Sequence, residues 1–345
     1  MNKFRIRLFS KHYFHCSIIA CLLFLSTGCS FVEKQIHLEG FTQGTYYSIR
    51  YYDPQNRNLQ EAIDSLLNDF DNTASVYNDS SVISRINRNE DNVCLTDDFI
   101  RLYLLSEQIG KQTHGAFDIT VGSLVNAWGF GREQRQTMSK EKIDSLLTCV
   151  GFGKTSLDQG KIIKELPCIQ LNFNAIAQGY TVDKIASFFD TLSIADYLVD
   201  IGGEVIAKGN KNGQPWMVGI EHPSKEKEQE RQIILRVPLE NKSLVTSGNY
   251  RKYYEENGVR YGHTLSPQTG YPVEHALLSV TVLHPSAAFA DAYATAFMVM
   301  GMEASLDFIA EHQDVEAFFI YQKQDSIHTR STDGFVRLLN QQACF

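Results

Sequence analysis

Tyr197-Leu198-Val199-Asp200-Ile201-Gly202-Gly203-Glu204-Val205-Ile206-Ala207-Lys208-Gly209 reads as a strand, a glycine turn and a second strand. Apolar and β-branched residues fill both arms, and the paired glycines interrupt them. Strands joined by so short a turn run antiparallel, because a parallel pair needs a long crossover. The same grammar recurs on both sides. Downstream, strands are expected at Trp216–Glu221, Ile233–Val237, Leu244–Thr246, Tyr250–Glu255, Val259–Thr264 and Leu277–Leu283. Upstream, Ile36 to Tyr52 alternates as one or two strands, and Gly160 to Phe173 reads as a hairpin.

Helices separate these strands. Leu59 to Phe70, Thr96 to Thr113, Ser139 to Thr148 and Ala177 to Leu192 carry apolar residues at helical spacing. Ser286 to Met300 is a further helix, stopped by Gly301. A last helix and strand follow at Ser305–Ala310 and Val315–Tyr321. The expectation is α+β: mainly antiparallel sheets with packed helices, in two lobes sharing one core. The run Ser224–Arg231 is strongly charged and reads as a solvated hairpin tip.

The N-terminus has a different character. Residues 1–15 are basic without an acid, and Ser17–Leu25 is apolar but too short to span a bilayer. The stretch ends in Ser26-Thr27-Gly28-Cys29, small residues before a cysteine. Residues 1–28 are therefore expected to be a lipoprotein signal peptide, Cys29 the lipidated first residue and 29–35 a tether. Residues 36–345 would form the folded domain, on the extracytoplasmic side of a cell membrane. Removing Lys3, Arg5, Arg7 and Lys11 with the signal leaves a formal charge of −12. Such a balance argues against a nucleic-acid binder. Of the seven cysteines, Cys94, Cys149, Cys168 and Cys344 remain, with no Cys-x-x-Cys spacing. A disulfide is allowed in that compartment, but the spacing does not give its pairing.

Several polar, glycine-punctuated segments stand out. Thr113-His114-Gly115-Ala116-Phe117-Asp118-Ile119-Thr120 and the later Trp128-Gly129-Phe130-Gly131 suit close backbone approach and ring stacking, or simply a well-packed loop. Asn172 to Asp183 sits where a strand enters a helix. Its exposed amides can hold phosphate oxygens, or it can be a plain helix start. His263, ahead of the Pro267-Gln268-Thr269-Gly270 turn, is a potential acceptor for a hydroxyl proton or a structural histidine. Asp291 and Thr295 share one face of a helix and offer two hard oxygens to Mg²⁺ or Ca²⁺. Alternatively, the Thr295 hydroxyl bonds back to the Asp291 carbonyl.

Taken in order, these pieces resemble the FAD:protein FMN transferase family, often called ApbE. Further pieces are Gly44-Thr45-Tyr46-Tyr47-Ser48, Ser75-Val76-Tyr77, Ala175-Ile176-Ala177-Gln178-Gly179-Tyr180, Gly202-Gly203 and Thr246-Ser247-Gly248. The resemblance implies an ApbE-like, T-fold-like architecture. It also implies an enzyme that cleaves the FAD diphosphate with a divalent metal. FMN would be attached through a phosphoester to a threonine of a target flavoprotein, and AMP released. It places Tyr77, Phe117, Asp118, Gln178, Asp183, Gly203, Thr246 and Ser247 at the FAD site. Ala175, Asp291 and Thr295 would hold Mg²⁺, with Ca²⁺ or Mn²⁺ possible, and His263 would be the base. The acceptors implied are envelope redox subunits. Gln178 stands where the family usually has Lys, Asn174 where it has Gly, and Ser266 where it has Asp. The same residues would also serve a metal-dependent FAD pyrophosphatase; a non-catalytic flavin-binding lipoprotein would not need His263.

Overall fold

A computed structural model describes residues 34–223, 232–249, 253–256 and 259–340. Cys29, Cys344 and the charged run Ser224–Arg231 lie outside the described residues. The unit that contains the fold begins at Gln35. Its centre is an eight-stranded sheet in the order β1-β2-β5-β6-β9-β12-β13-β14, antiparallel throughout. The strands are β1 (Gln35–Thr42), β2 (Thr45–Tyr52), β5 (Asp196–Ile201), β6 (Glu204–Lys208), β9 (Lys242–Gly248), β12 (Leu277–His284), β13 (Glu316–Lys323) and β14 (Ser326–Ser331). β5 and β6 are the hairpin quoted first, turned by Gly202 and Gly203, both at positive φ.

Helices cover one face of the sheet. The helices of this layer are α1 (Gln60–Ala74), α2 (Val82–Asn87), α3 (Asp97–Gln112), α6 (Ala177–Thr191), α7 (Ala287–Met300) and α8 (Met302–Glu311), with α6 and α7 directly on the sheet, while α4 (Gly122–Ala127) and α5 (Lys140–Leu147) pack together in a separate cluster with Leu265. Tyr197, Val199 and Ile201 of β5 point to that side, where they meet Val182, Ile185 and Phe189 of α6. Leu198 points the other way, into a second cluster with Leu244, Trp216 and Phe335. That opposite face is covered by the hairpin β7 (Trp216–Glu221) and β8 (Ile233–Leu239) and by α9 (Asp333–Asn340). A central strand buried on both faces explains the apolar run Tyr197–Val199, and the sheet carries a packed cluster on each face.

Two local readings change. The hairpin expected over Gly160–Phe173 is shorter and earlier, β3 (Thr155–Asp158) with β4 (Lys161–Lys164). Pro167 cannot donate to a ladder, and the Lys164 ammonium instead binds the carbonyls of Ile86 and Ile169. The strands expected at Tyr250–Glu255 and Val259–Thr264 are the short pair β10 (Tyr253–Glu256) and β11 (Val259–Gly262). The sulfur atoms of Cys149 and Cys168 are joined in a disulfide, and Cys94 is free and exposed.

Candidate active site

The site is built where α6 and α7 meet. Gly179 lets them approach: a Cβ there would stand 2.3 Å from the Ala287 carbonyl oxygen and 2.7 Å from the Asp291 Cβ. At this distance each helix caps the other. The Gly179 amide, one of the unpaired donors of the first turn of α6, donates to Asp291 Oδ2 at 3.0 Å. In return the carboxylate of Asp183 on α6 closes the start of α7. It accepts from the Ser286 hydroxyl at 2.5 Å, the Ala287 amide at 2.8 Å and the Ala288 amide at 3.0 Å.

Asp291 is only 5% exposed. Burial pushes its carboxyl up to about 7; the Gly179 amide opposes this and the negative charge of Asp183 adds to it. Burial also raises Asp183, against its three donors. Among the described residues no lysine or arginine forms an ion pair with Asp291. One turn further along α7, Thr295 Oγ1 lies 3.4 Å from Ser247 Oγ on β9. The hydroxyl thus faces the sheet, where a second hydroxyl adjoins it. No three His, Cys, Asp or Glu side chains converge among the described residues. One carboxylate with hydroxyl and carbonyl neighbours suits a hard divalent cation.

Ala175 sits in the turn that feeds α6. Asn172 Oδ1 accepts the Asn174 amide at 2.8 Å, and the Ile176 and Ala177 amides share the Phe173 carbonyl at 2.9 Å each. Asn174 Nδ2 reaches the Tyr77 hydroxyl at 3.5 Å, so the exposed Tyr77 ring stands beside this turn. The Gln178 amide lies against the β5–β6 turn, with Nε2 2.9 Å from where a Gly202 Cβ would be. Gly203 has open space on that side, and its amide donates to Asp200 Oδ1 at 2.9 Å. Ala175, Gln178, Asp291, Thr295 and Ser247 therefore gather around the start of α6 and the face of α7, with Tyr77 alongside.

Other expected site residues have structural employment. Phe117 is 2% exposed and packed in the main core, so its ring is not on a ligand surface. The carboxylate of Asp118 accepts the Thr120 amide and hydroxyl, at 2.8 and 2.6 Å, and the Phe152 amide at 2.9 Å. It pins the 150s turn, as Asp183 pins α7; both act here as anchors. Thr246 and Ser247 point to opposite faces of β9, and Thr246 pairs with Thr281 at 2.7 Å on the face away from α7. His263 is half-buried, its ring 6.4 Å from Phe130 and edge-on to it. The turn beyond it closes as expected, Gly270 N to Ser266 O at 2.8 Å, and Trp128 Nε1 ties it down through the Gly270 carbonyl at 2.8 Å. Gly179 and Ser286 read locally as ordinary helix residues; their roles come from helices more than one hundred positions apart.

The ApbE family model matches residues 43–319, and the chain belongs to the ApbE family. Among curated relatives, the FAD:protein FMN transferase of Haemophilus influenzae is 35% identical over 93% of this chain and 96% of its own. That of Escherichia coli is 35% identical over 88% of each. The solved flavin transferase ApbE from Vibrio cholerae superposes with a TM-score of 0.79 at 31% identity, covering 89% of this chain and all of that one. The flavinyl transferase ApbE of Pseudomonas stutzeri gives 0.79 at 34% identity, over 90% and 98%.

Proposed function

We propose that this chain is an FAD:protein FMN transferase. The carrying observation is the buried Asp291 carboxylate, fixed by Gly179 and followed by Thr295 beside Ser247, in a member of the ApbE family. The main-chain carbonyl of Ala175, Asp291 and Thr295 would hold Mg²⁺, with Ca²⁺ or Mn²⁺ as substitutes. Such a cation neutralises diphosphate oxygens in a protein that is itself acidic. Tyr77 offers an exposed face to the flavin ring, and the start of α6 offers donors to phosphate oxygens.

His263 accepts the proton of an acceptor threonine hydroxyl. That oxygen bonds to the FMN phosphorus, the phosphorus–oxygen bond to AMP breaks, and AMP leaves. With Gln178 in place of Lys, no fixed cation from that position meets the phosphates, so turnover depends more on the divalent ion.

The test is His263→Ala. Transfer of flavin to a flavoprotein acceptor, read as in-gel fluorescence, should fall about 10²–10⁴-fold. FAD affinity should stay within about threefold of wild type. Undiminished transfer would remove His263 from the reaction. Free FMN and AMP from the wild type, with no labelled acceptor, would identify a pyrophosphatase instead.

The expected site of action is the outer side of a cell membrane, held by lipid on Cys29, with envelope redox subunits as acceptors. The Cys149–Cys168 disulfide supports an oxidising compartment. Among the described residues no helix is long and apolar enough to cross a membrane.

A further inference from the structure

Tyr77 is 57% exposed, so its ring direction depends on the turn that carries it more than on packing. Much of that turn is bonded to its own neighbours. The Ser81 and Ser84 hydroxyls donate to the Ser75 carbonyl at 2.7 and 3.3 Å, and Asn78 Nδ2 donates to Asn72 Oδ1 at 3.0 Å. An arm also reaches it from more than fifty positions away. Arg132 Nη1 donates to the Val76 carbonyl at 3.2 Å and to Asp79 Oδ1 at 2.5 Å. The guanidinium thus grips a backbone carbonyl on one side of Tyr77 in the chain and a carboxylate on the other.

The loop that sends out this arm is itself fixed. The Arg132 amide donates to Asn126 Oδ1 at 3.2 Å, and Asn126 Nδ2 donates to Gln170 Oε1 at 2.9 Å. Two positions earlier, Phe130 packs against the α4–α5 cluster and meets the His263 ring edge-on. Arg132 therefore joins the Tyr77 turn to the loop beside the proposed proton acceptor. An ion pair this exposed, 40% at Arg132 and 76% at Asp79, contributes little to overall stability. What it supplies is order, because a planar guanidinium shared between two acceptors fixes direction as well as distance. The Arg132 guanidinium also holds the Asp79 carboxyl below its ordinary range, so the pair is charged at neutral pH.

We infer that Arg132 is a positioning residue for flavin binding: with Asp79 it clasps the 75–79 turn and so aims the Tyr77 ring at the isoalloxazine. The inference deepens the transferase reading, on which the flavin contact of Tyr77 rests. Asn174 Nδ2, 3.5 Å from the Tyr77 hydroxyl, steadies the far end of the same ring.

The test is an FAD titration read by quenching of flavin fluorescence. Arg132→Ala should raise the Kd about three- to tenfold, the cost of ordering a loose turn on binding. Asp79→Ala should do the same, and the double variant should be no weaker than either single one, because the two remove one shared interaction. In a Tyr77→Ala background, Arg132→Ala should add nothing. Thermal midpoints of the Arg132 and Asp79 variants should stay within about 3 °C of wild type. A direct contact between Arg132 and the FAD phosphates makes opposite demands. Asp79→Ala would then leave binding unchanged or tighter, and Arg132→Ala would still weaken FAD in the absence of the Tyr77 ring. Either result would overturn the proposal, as would wild-type affinity in Arg132→Ala. Weaker FAD binding in both single variants of an enzyme that transfers no flavin would support the clasp and overturn the transferase reading alone.

Discussion

Asp183 and Asp291 each cap the helix that carries the other: Asp183 on α6 closes the start of α7, and Asp291 on α7 closes the start of α6. The exchange fixes the register of two helices through buried charge. Carboxylates at helix N-termini meet both unpaired amides and the positive end of the helix dipole. Asp291 spends Oδ2 on Gly179, and its direction is set by the same helix contact that Asp183 holds. Asp183→Ala should therefore act at two levels. Loss of three hydrogen bonds to a buried carboxylate should cost about 2–4 kcal/mol in urea unfolding. Mn²⁺ affinity of the still-folded protein, followed by electron paramagnetic resonance, should fall about 10–100-fold, as for other residues that orient a ligand. Lower stability with unchanged Mn²⁺ affinity would confine Asp183 to folding.

Gly179→Ala tests the close approach directly. The added methyl would press on the Ala287 carbonyl at 2.3 Å, a backbone atom that cannot swing aside. The helices must separate, which costs about 1–3 kcal/mol as overpacking and lengthens the Gly179–Asp291 bond. The expected result is lower thermal stability together with lost metal-dependent FAD binding, measured by fluorescence titration with and without Mg²⁺. An alanine variant with wild-type FAD affinity would show that the helices need not be this close.

The contrast between these residues and the rest of the fold shows what a sequence can carry. The β5–β6 hairpin and the helices that begin at Thr96, Ser139 and Ser286 are local patterns, and each appears where expected. The six-residue helices α2 and α4 are too short for periodicity to register. β14 alternates weakly at a sheet edge, and its exposed residues give no apolar rhythm. At the site, the pairing of Asp291 with Thr295 is legible because both sit on one helix. The pairing of Asp183 with Ser286 is not, because it joins distant segments. Asp118, Phe117 and Thr246 lie in motifs that resemble a flavin site, yet a motif does not say which way a side chain turns; here the Asp118 carboxylate holds the Phe152 turn, Phe117 packs in the core and Thr246 faces the far side of the sheet.

Acid should loosen the fold through Asp53. Its carboxylate takes the Arg57 guanidinium in two bonds, at 2.7 and 2.9 Å, and the Arg57 and Gln55 amides as well. The Arg57 side chain is the main reason its pKa falls from 3.8 to about 2. A carboxylate depressed in the folded state stabilises above its unfolded pKa, and that contribution disappears as pH falls through the folded value. About 2 kcal/mol should therefore be lost between about pH 4 and pH 2. Asp53→Asn should be less stable at pH 7 by a similar amount and show a flatter acid limb in denaturant titrations. Parallel acid limbs for variant and wild type would assign the acid sensitivity elsewhere.

The Cys149–Cys168 bond closes a loop of 19 positions that contains the Phe152 turn and the β3–β4 hairpin. Just beyond Cys168, the Gln170 carbonyl receives the Gly122 amide at 3.1 Å, and the chain continues through Asn172 to Ala175. The crosslink thus restrains the segment that leads to a proposed metal-binding carbonyl. By chain entropy such a loop is worth about 3 kcal/mol. Cys149→Ser with Cys168→Ser should lower stability by about that amount, and wild type in reductant should shift to the same midpoint. The exposed Cys94 is not part of this bond, so Cys94→Ser should leave the midpoint and its response to reductant unchanged. If reductant instead left the wild-type midpoint in place, the two sulfur atoms would not be bonded in the folded protein, and the support they lend to an oxidising compartment would go with them.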